Sequence, residues 1–154
     1  MAGVAVNIPT RGRPVVHVVV LDNSSGATEV AAAEEISTED VEIAEQLFQV
    51  ARSVESRLRG LRVDRVVVRR ADVPMRASKK EGPRLRLLIE GAVVGAARGV
   101  VIDTRLGMGK EVAHWRGSLK DDLDDEARNL LTTVKRQAKF AEAASAALAG
   151  LALP

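Results

Sequence analysis

The first long apolar run of the chain is Val15 to Leu21 (VVHVVVL), β-branched almost throughout and closed by Asp22. A continuous run of this kind reads as a buried central strand. Upstream, residues 1–14 contain Pro9 and Pro14 and read as a flexible N-terminal segment. Asn23-Ser24-Ser25-Gly26 is turn chemistry, and Ala27 to Ile36 supplies a second strand with room for a short third, so a hairpin follows the first strand. Ser37 or Thr38 can cap a helix whose first turn holds Glu39 and Asp40, carboxylates suited to the positive end of the helix dipole. Ile43, Leu47, Val50, Ala51, Val54, Leu58 and Leu61 then recur at helical spacing. This helix runs to about Gly60 and should lay its stripe on the sheet.

Val63 to Arg70 (VDRVVVRR) returns as a strand, and the intervening helix makes a parallel crossover the natural connection. Asp72 to Pro83 (DVPMRASKKEGP) has two prolines, a glycine and several cations without apolar periodicity, and reads as an exposed loop. A helix from about Arg84 to Arg98 turns Leu85, Leu88, Ile89, Ala92, Val93 and Ala96 inward. Gly99 ends it, and Val100 to Thr104 forms another strand. Arg105 to Lys110 reads as a loop, Glu111 to Trp115 as a brief extension, and Ser118 to Val134 as a helix. The last helix starts near Lys139, where Ala141, Ala144 and Ala147 permit close approach to the sheet. The predicted core includes Val16, Val18, Val20, Leu47, Val54, Leu58, Val67, Leu88 and Val101.

Length and composition narrow this picture. A chain of 154 residues with 46% hydrophobic and 29% charged residues has the make-up of one globular domain, read as residues 15–154. The absence of cysteine excludes disulfides, thiolate metal sites and thiol nucleophiles, and a cytoplasmic location is the simple expectation. No apolar run reaches the roughly 20 residues a membrane helix needs, so no membrane partner is expected.

The net charge of +2 conceals a segregation of sign. From Arg57 to Arg86 the chain carries eleven Arg or Lys against Asp64, Asp72 and Glu81; from Glu29 to Glu45 it carries seven carboxylates and no cation. Arginine forks pair with phosphate oxygens, so the first stretch is a candidate phosphate-binding face. Its candidate residues are Arg69, Arg70, Arg76, Lys79, Lys80, Arg84 and Arg86. His17, inside an apolar strand, and His114, beside Trp115, read as structural. Gly107-Met108-Gly109-Lys110 is too short for a P-loop and reads as a turn.

Four places, VVVLDNSSG, VDRVVVRRAD, LRLLIEGAVVGAARG and KFAEAASAALAGL, together with the element order, resemble the ribonuclease H-like superfamily, most closely RuvC-like Holliday-junction resolvases. The resemblance implies an α/β fold, a ribonuclease H-like mixed sheet flanked by helices. It also implies carboxylates at strand ends and on the last helix that hold two divalent cations, magnesium or manganese. Carried over, the first carboxylate is Asp22 and the second position falls on Arg69 or Arg70. An acidic pair three residues apart on the last helix becomes Glu142 and Ser145. If the chain is a nuclease, Asp22, Asp72 and Glu142 are its catalytic candidates, with Asp103 as a further acid and Asp22 and Glu142 as metal ligands. Otherwise no cofactor is expected, because an arginine at a metal position removes a ligand and adds like charge.

Three functions follow as expectations. The first is a RuvC-like nucleic-acid-binding protein without nuclease activity, binding DNA rather than RNA and pairing as a homodimer. The second is a divergent metal-dependent endonuclease acting on branched DNA. The third is a protein-interaction scaffold whose acidic stretch from Glu29 to Glu45, or DDLDDE at Asp121 to Glu126, meets a basic partner.

Overall fold

The computed structural model describes residues 1–9, 13–39, 41–72, 81–134 and 138–154. Five strands form one mixed sheet: β1 (Ala2–Asn7), β2 (Val15–Asp22), β3 (Glu29–Ser37), β4 (Arg65–Arg70) and β5 (Asp103–Met108), in the order β3-β2-β1-β4-β5. β1, β2 and β3 pair antiparallel, whereas β1, β4 and β5 pair parallel. Among the described residues, five α-helices flank the sheet: α1 (Ile43–Leu61), α2 (Glu81–Val100), α3 (Gly109–Arg116), α4 (Lys120–Thr133) and α5 (Ala141–Ala152). The expected mixed sheet with helices on its faces is what the chain forms.

Two apolar layers sandwich the sheet. On one face Val4, Val6, Val16, Val18, Val66 and Val68 meet Val50, Val54 and Leu58 of α1 and Ile89, Val93 and Ala97 of α2. The i, i+4, i+8 spacing of the α1 residues is what makes one helical face apolar. On the other face Ala5, Val19, Leu21 and Val67 meet Leu123, Ala127 and Leu131 of α4 and the alanines of α5. Alternate residues of β2 serve opposite layers, so the run VVHVVVL is buried on both sides.

The largest departure from the sequence reading lies at the amino terminus. Residues 1–14 were expected to be flexible, yet Ala2–Asn7 forms the central strand, and Val15–Asp22 is its neighbour. β1 was hidden because its second-face residues are small. They have to be, because α5 lies directly on them: a Cβ added at Gly3 would stand 2.0 Å from the Ala143 carbonyl oxygen and 2.3 Å from the Ala147 nitrogen.

Smaller corrections have local causes. Glu42, not Ser37 or Thr38, caps α1 by accepting from the Ala44 amide at 2.9 Å. Thr38 is buried and donates instead to the Pro14 carbonyl at 2.8 Å. Gly99 does not end α2, which continues to Val100, and β5 begins only at Asp103. The glycine-containing segment read as a turn becomes the end of β5 and the start of α3, and Glu111 to Trp115 is helical. Of the expected core, Leu47 is only partly buried and Leu88 is 52% exposed, because Ile89 and Val93 face the sheet instead.

Candidate functional site

The strand register places a row of residues straight across the sheet beneath the start of α5. Glu35 of β3 pairs with His17 of β2, His17 with Ala5 of β1, Ala5 with Arg69 of β4, and Arg69 with Gly107 of β5. Asn7, two residues beyond Ala5 and therefore on the same face, adds an amide at the end of β1. Above the row sit Glu142 in the first turn of α5 and Ser145 one turn later. Asn7, His17, Lys139 and Glu142 line a cleft of about 180 Å³ over Ala5 and Val6.

Arg69 is the centre of one half of this row. It is 4% exposed and its guanidinium donates to both carboxylate oxygens of Asp124 on α4, the second at 3.2 Å, and to the Ser145 hydroxyl. Lys120, one turn before Asp124, lies 3.7 Å from its carboxylate and 3.6 Å from that of Asp72. Asp72 in turn accepts from the Gly109 amide at 3.1 Å, at the start of α3. Burial opposes charge on Asp124, but the hydrogen bond and charge of Arg69 prevail and hold its carboxyl below the usual range. Burial likewise opposes charge on Arg69, and Asp124 more than compensates, raising its pKa. The pair is ionised and mutually satisfied, as a buried ion pair has to be.

Glu142 is engaged by a second arginine. Arg86 of α2 donates to Glu142 at 3.0 Å and to Glu90 at 2.8 Å, joining helices from the two sides of the sheet. Glu90 is 3% exposed and also accepts from the Ala71 amide at 2.8 Å. At the other end of the row, Glu35 receives a hydrogen bond from Lys139 at 2.6 Å and lies 3.2 Å from His17 Nε2. That lysine, before any other influence, keeps the Glu35 carboxyl low. Burial keeps the His17 imidazole below its usual value although Glu35 pulls the other way. His17 packs against Phe140 with ring centroids 5.0 Å apart, a structural role as expected.

The candidate carboxylates divide: Asp22 and Asp103 line one cleft with Asp64 and Arg65, while Glu142 and Asp72 lie elsewhere. Asp22 follows Val20, which pairs with Ala2, so it stands at the opposite end of β1 from Asn7 and Glu142. That separation is about 23 Å, the seven strand steps from Val15, the partner of Asn7, to Asp22. Asp22 is exposed and closes its own turn, accepting from the Ser24 amide at 2.9 Å and hydroxyl at 3.0 Å, and the amide bond first of all lowers its pKa. Asp103 is at that distant end as well, bonded to Arg65. The end of the first strand is occupied by Asn7, a residue the sequence reading passed over because it lay in the presumed flexible segment. Asn7, Arg69, Glu142 and Ser145 gather instead at this end of the sheet, beside the start of α5. One carboxylate among them, bound by Arg86 and facing a buried guanidinium, does not fit a pair of divalent cations. Among the described residues, no group of three or more His, Asp or Glu is arranged to hold a metal ion.

The expected phosphate-binding residues also divide. Arg69 is buried and paired, and Arg86 is held by two glutamates, so neither is presented to solvent as the sequence suggested. Arg70 is half-buried at the end of β4, and Arg84 is exposed at the start of α2. Arg76, Lys79 and Lys80 lie outside the described residues.

This arrangement sits on a ribonuclease H-like fold that resembles RuvC. The solved structure of RuvC from Thermus thermophilus matches with a TM-score of 0.70 at 18% identity, covering 98% of this chain and 92% of that one. RuvC of T. thermophilus in complex with Holliday junction substrate matches with a TM-score of 0.68 at 16% identity, covering 98% and 91%. Identity this low shows the fold alone. No family model matches the chain, and no curated protein does. Among the described residues, no helix is long and apolar enough to cross a membrane.

Proposed function

We propose that the protein is a RuvC-like nucleic-acid-binding protein that has exchanged metal-dependent cleavage for a self-neutralised, charge-paired centre. The observation that carries this reading is the Arg69 guanidinium held between Asp124 and Ser145 at the end of β4. An internal cation there satisfies the surrounding carboxylate and leaves a divalent ion neither ligands nor favourable charge. DNA contact is assigned to Arg70, Arg84 and the basic stretch with Arg76, Lys79 and Lys80. Phosphate contacts of this kind position a duplex without reading its sequence. The resolvase fold, solved in T. thermophilus RuvC with its junction substrate, favours branched DNA as the ligand.

The test is anisotropy titration of a four-way junction at two salt concentrations, with a parallel cleavage time course in magnesium and in manganese. With about four phosphate contacts, affinity should fall on the order of 100-fold between 50 and 200 mM salt. No cutting is expected. Metal-dependent cleavage that vanishes in Glu142→Gln would establish the divergent endonuclease instead.

A homodimer is the associated reading of assembly. Leu87 and Leu88 are 54% and 52% exposed on α2, with Gly91 and Gly95 exposed along the same helix and Leu106 of the edge strand β5 44% exposed. A flat apolar face of this kind suits two helices packing across a two-fold axis. Sedimentation of the wild type and of Leu88→Glu checks it: a dimer that becomes monomeric supports the assignment, and a wild-type monomer at a concentration on the order of 100 micromolar removes it.

A further inference from the structure

The sheet has two edges, and β3 forms one of them over nine residues, Glu29–Ser37, about 30 Å long. Its strand partner is β2 alone, so among the described residues a row of backbone N–H and C=O groups on its outer side has no strand to pair with. At the middle of the strand stand Ala31, Ala32 and Ala33, side chains too small to obstruct an incoming backbone. The strand contains no proline and no lysine to blunt the edge; a bulge at Ala31, where the register passes from Ala32 to Val30, divides it into two stretches, of which Ala32–Ser37 is the longer.

The surroundings select among possible occupants. Glu29 and Glu35 are exposed on β3, and Glu39, Glu42 and Glu45 are exposed where the chain continues into α1. The cations that face this region are Arg57, 3.4 Å from Glu34, and Lys139, 2.6 Å from Glu35. Arg52 lies over the Phe48 ring. Carboxylates outnumber them. A second copy of the same edge would bring like charges together, which is destabilising across paired strands, and a nucleic-acid backbone would meet the same repulsion. Beyond the strand end in sequence, Val41, Ile43 and Phe48 are 38%, 39% and 56% exposed.

We infer that the β3 edge is a docking site for an extended, lysine- or arginine-rich segment of a partner protein. The segment adds as a sixth strand. Main-chain hydrogen bonds supply the affinity in such strand addition, and the acidic side chains supply the choice of a basic partner. This gives the scaffold reading of the acidic stretch a definite surface and mode, and it does not depend on nucleic-acid binding elsewhere on the molecule.

The experiment uses the full chain and a capped nonapeptide that alternates lysine with valine or threonine, read by amide hydrogen exchange. A second peptide carries N-methyl groups on every other amide, and a third has glutamate in place of lysine. Binding of the first should slow exchange about tenfold at alternate amides between residues 29 and 37. The N-methylated and glutamate peptides should give no protection, and Glu29→Lys with Glu39→Lys should weaken the first peptide about tenfold. Equal binding of the N-methylated peptide would reduce the site to charge condensation and overturn strand addition. So would no binding at all, or protection confined to other elements. A junction DNA added in parallel should leave the 29–37 amides unprotected, so failure of the DNA reading and of this one are separately visible.

Discussion

β4 carries two arginines on the same face, four residues apart, and they meet opposite surroundings. Arg65, at the strand's start, is 19% exposed in its side chain. It bonds Asp103 and the carbonyls of Gly150, Leu153 and Pro154, so it closes the end of α5. The Gly150 carbonyl is an orphan of the last turn of α5 and those of Leu153 and Pro154 follow the helix, and a cation beside them suits the negative end of the dipole. Arg69, at the other end, is 4% exposed and answers a single carboxylate and a hydroxyl under the start of α5. The first arginine is a clamp with water as an alternative partner. The second has no alternative, so its pairing is obligatory, and the end of the sheet that holds it is committed to charge neutrality.

That contrast orders the expected effects. Arg69→Ala should cost about 3 kcal/mol in urea unfolding, because the mostly buried Asp124 loses both guanidinium hydrogen bonds and keeps only the looser Lys120 contact at 3.7 Å. A loss below about 1 kcal/mol would mean that water enters and that the site is open after all. Arg65→Ala should cost less, roughly 1.5–3 kcal/mol, since the freed carbonyls lie near solvent. Replacing both members of the buried pair, Arg69→Met with Asp124→Leu, should bring stability back to within about 1 kcal/mol of wild type or above it. A double variant as weak as Arg69→Ala would show that the pair specifies the local structure and does more than neutralise itself.

The smallest effect is in pH. Burial depresses the His17 pKa, so the unfolded chain binds the proton more readily. The His17 contribution is complete above about pH 6.5 and declines as the pH falls below it. Thermal unfolding at pH 7.5 and 5.5 should show the lower stability at 5.5, and His17→Gln should flatten that difference. Asp124 and Glu35, also held low, lose their contributions only in more acidic solution, below about pH 4. An unchanged slope in His17→Gln would assign the effect to another group.

Much of the fold was legible because periodicity reports burial directly. VVHVVVL, RVVV and the α1 stripe from Val50 to Leu58 read correctly, whereas Ile43, expected on the sheet, is 39% exposed; a strand buried on both faces and a helix buried on one leave different spacings. β1 was not legible. Gly3 and Ala5 carry little hydrophobic signal, and the reason they are small is the backbone of α5, some 140 residues away in sequence. The same omission displaced the site. With Val15 taken as the first strand, Asn7 was passed over and Asp22, at the far end of the sheet, was read as the strand-end acid. The sequence marked Arg69 or Arg70, Glu142 and Ser145 as parts of one site, and Arg69, Glu142 and Ser145 do lie together. It could not show that Asp124, from the acidic DDLDDE run, would reach Arg69, or that Arg86 would occupy Glu142.

By itself, then, the order of residues determined β2, β4 and most of the helices, and the sign of each charged stretch. These depend on local spacing and composition. Only the tertiary structure decided which arginines are spent on internal partners and which remain exposed, which strand is central, and which edge is open. Each of those depends on what a distant element places within a few ångströms, where desolvation makes pairing obligatory, and no local pattern encodes that distance.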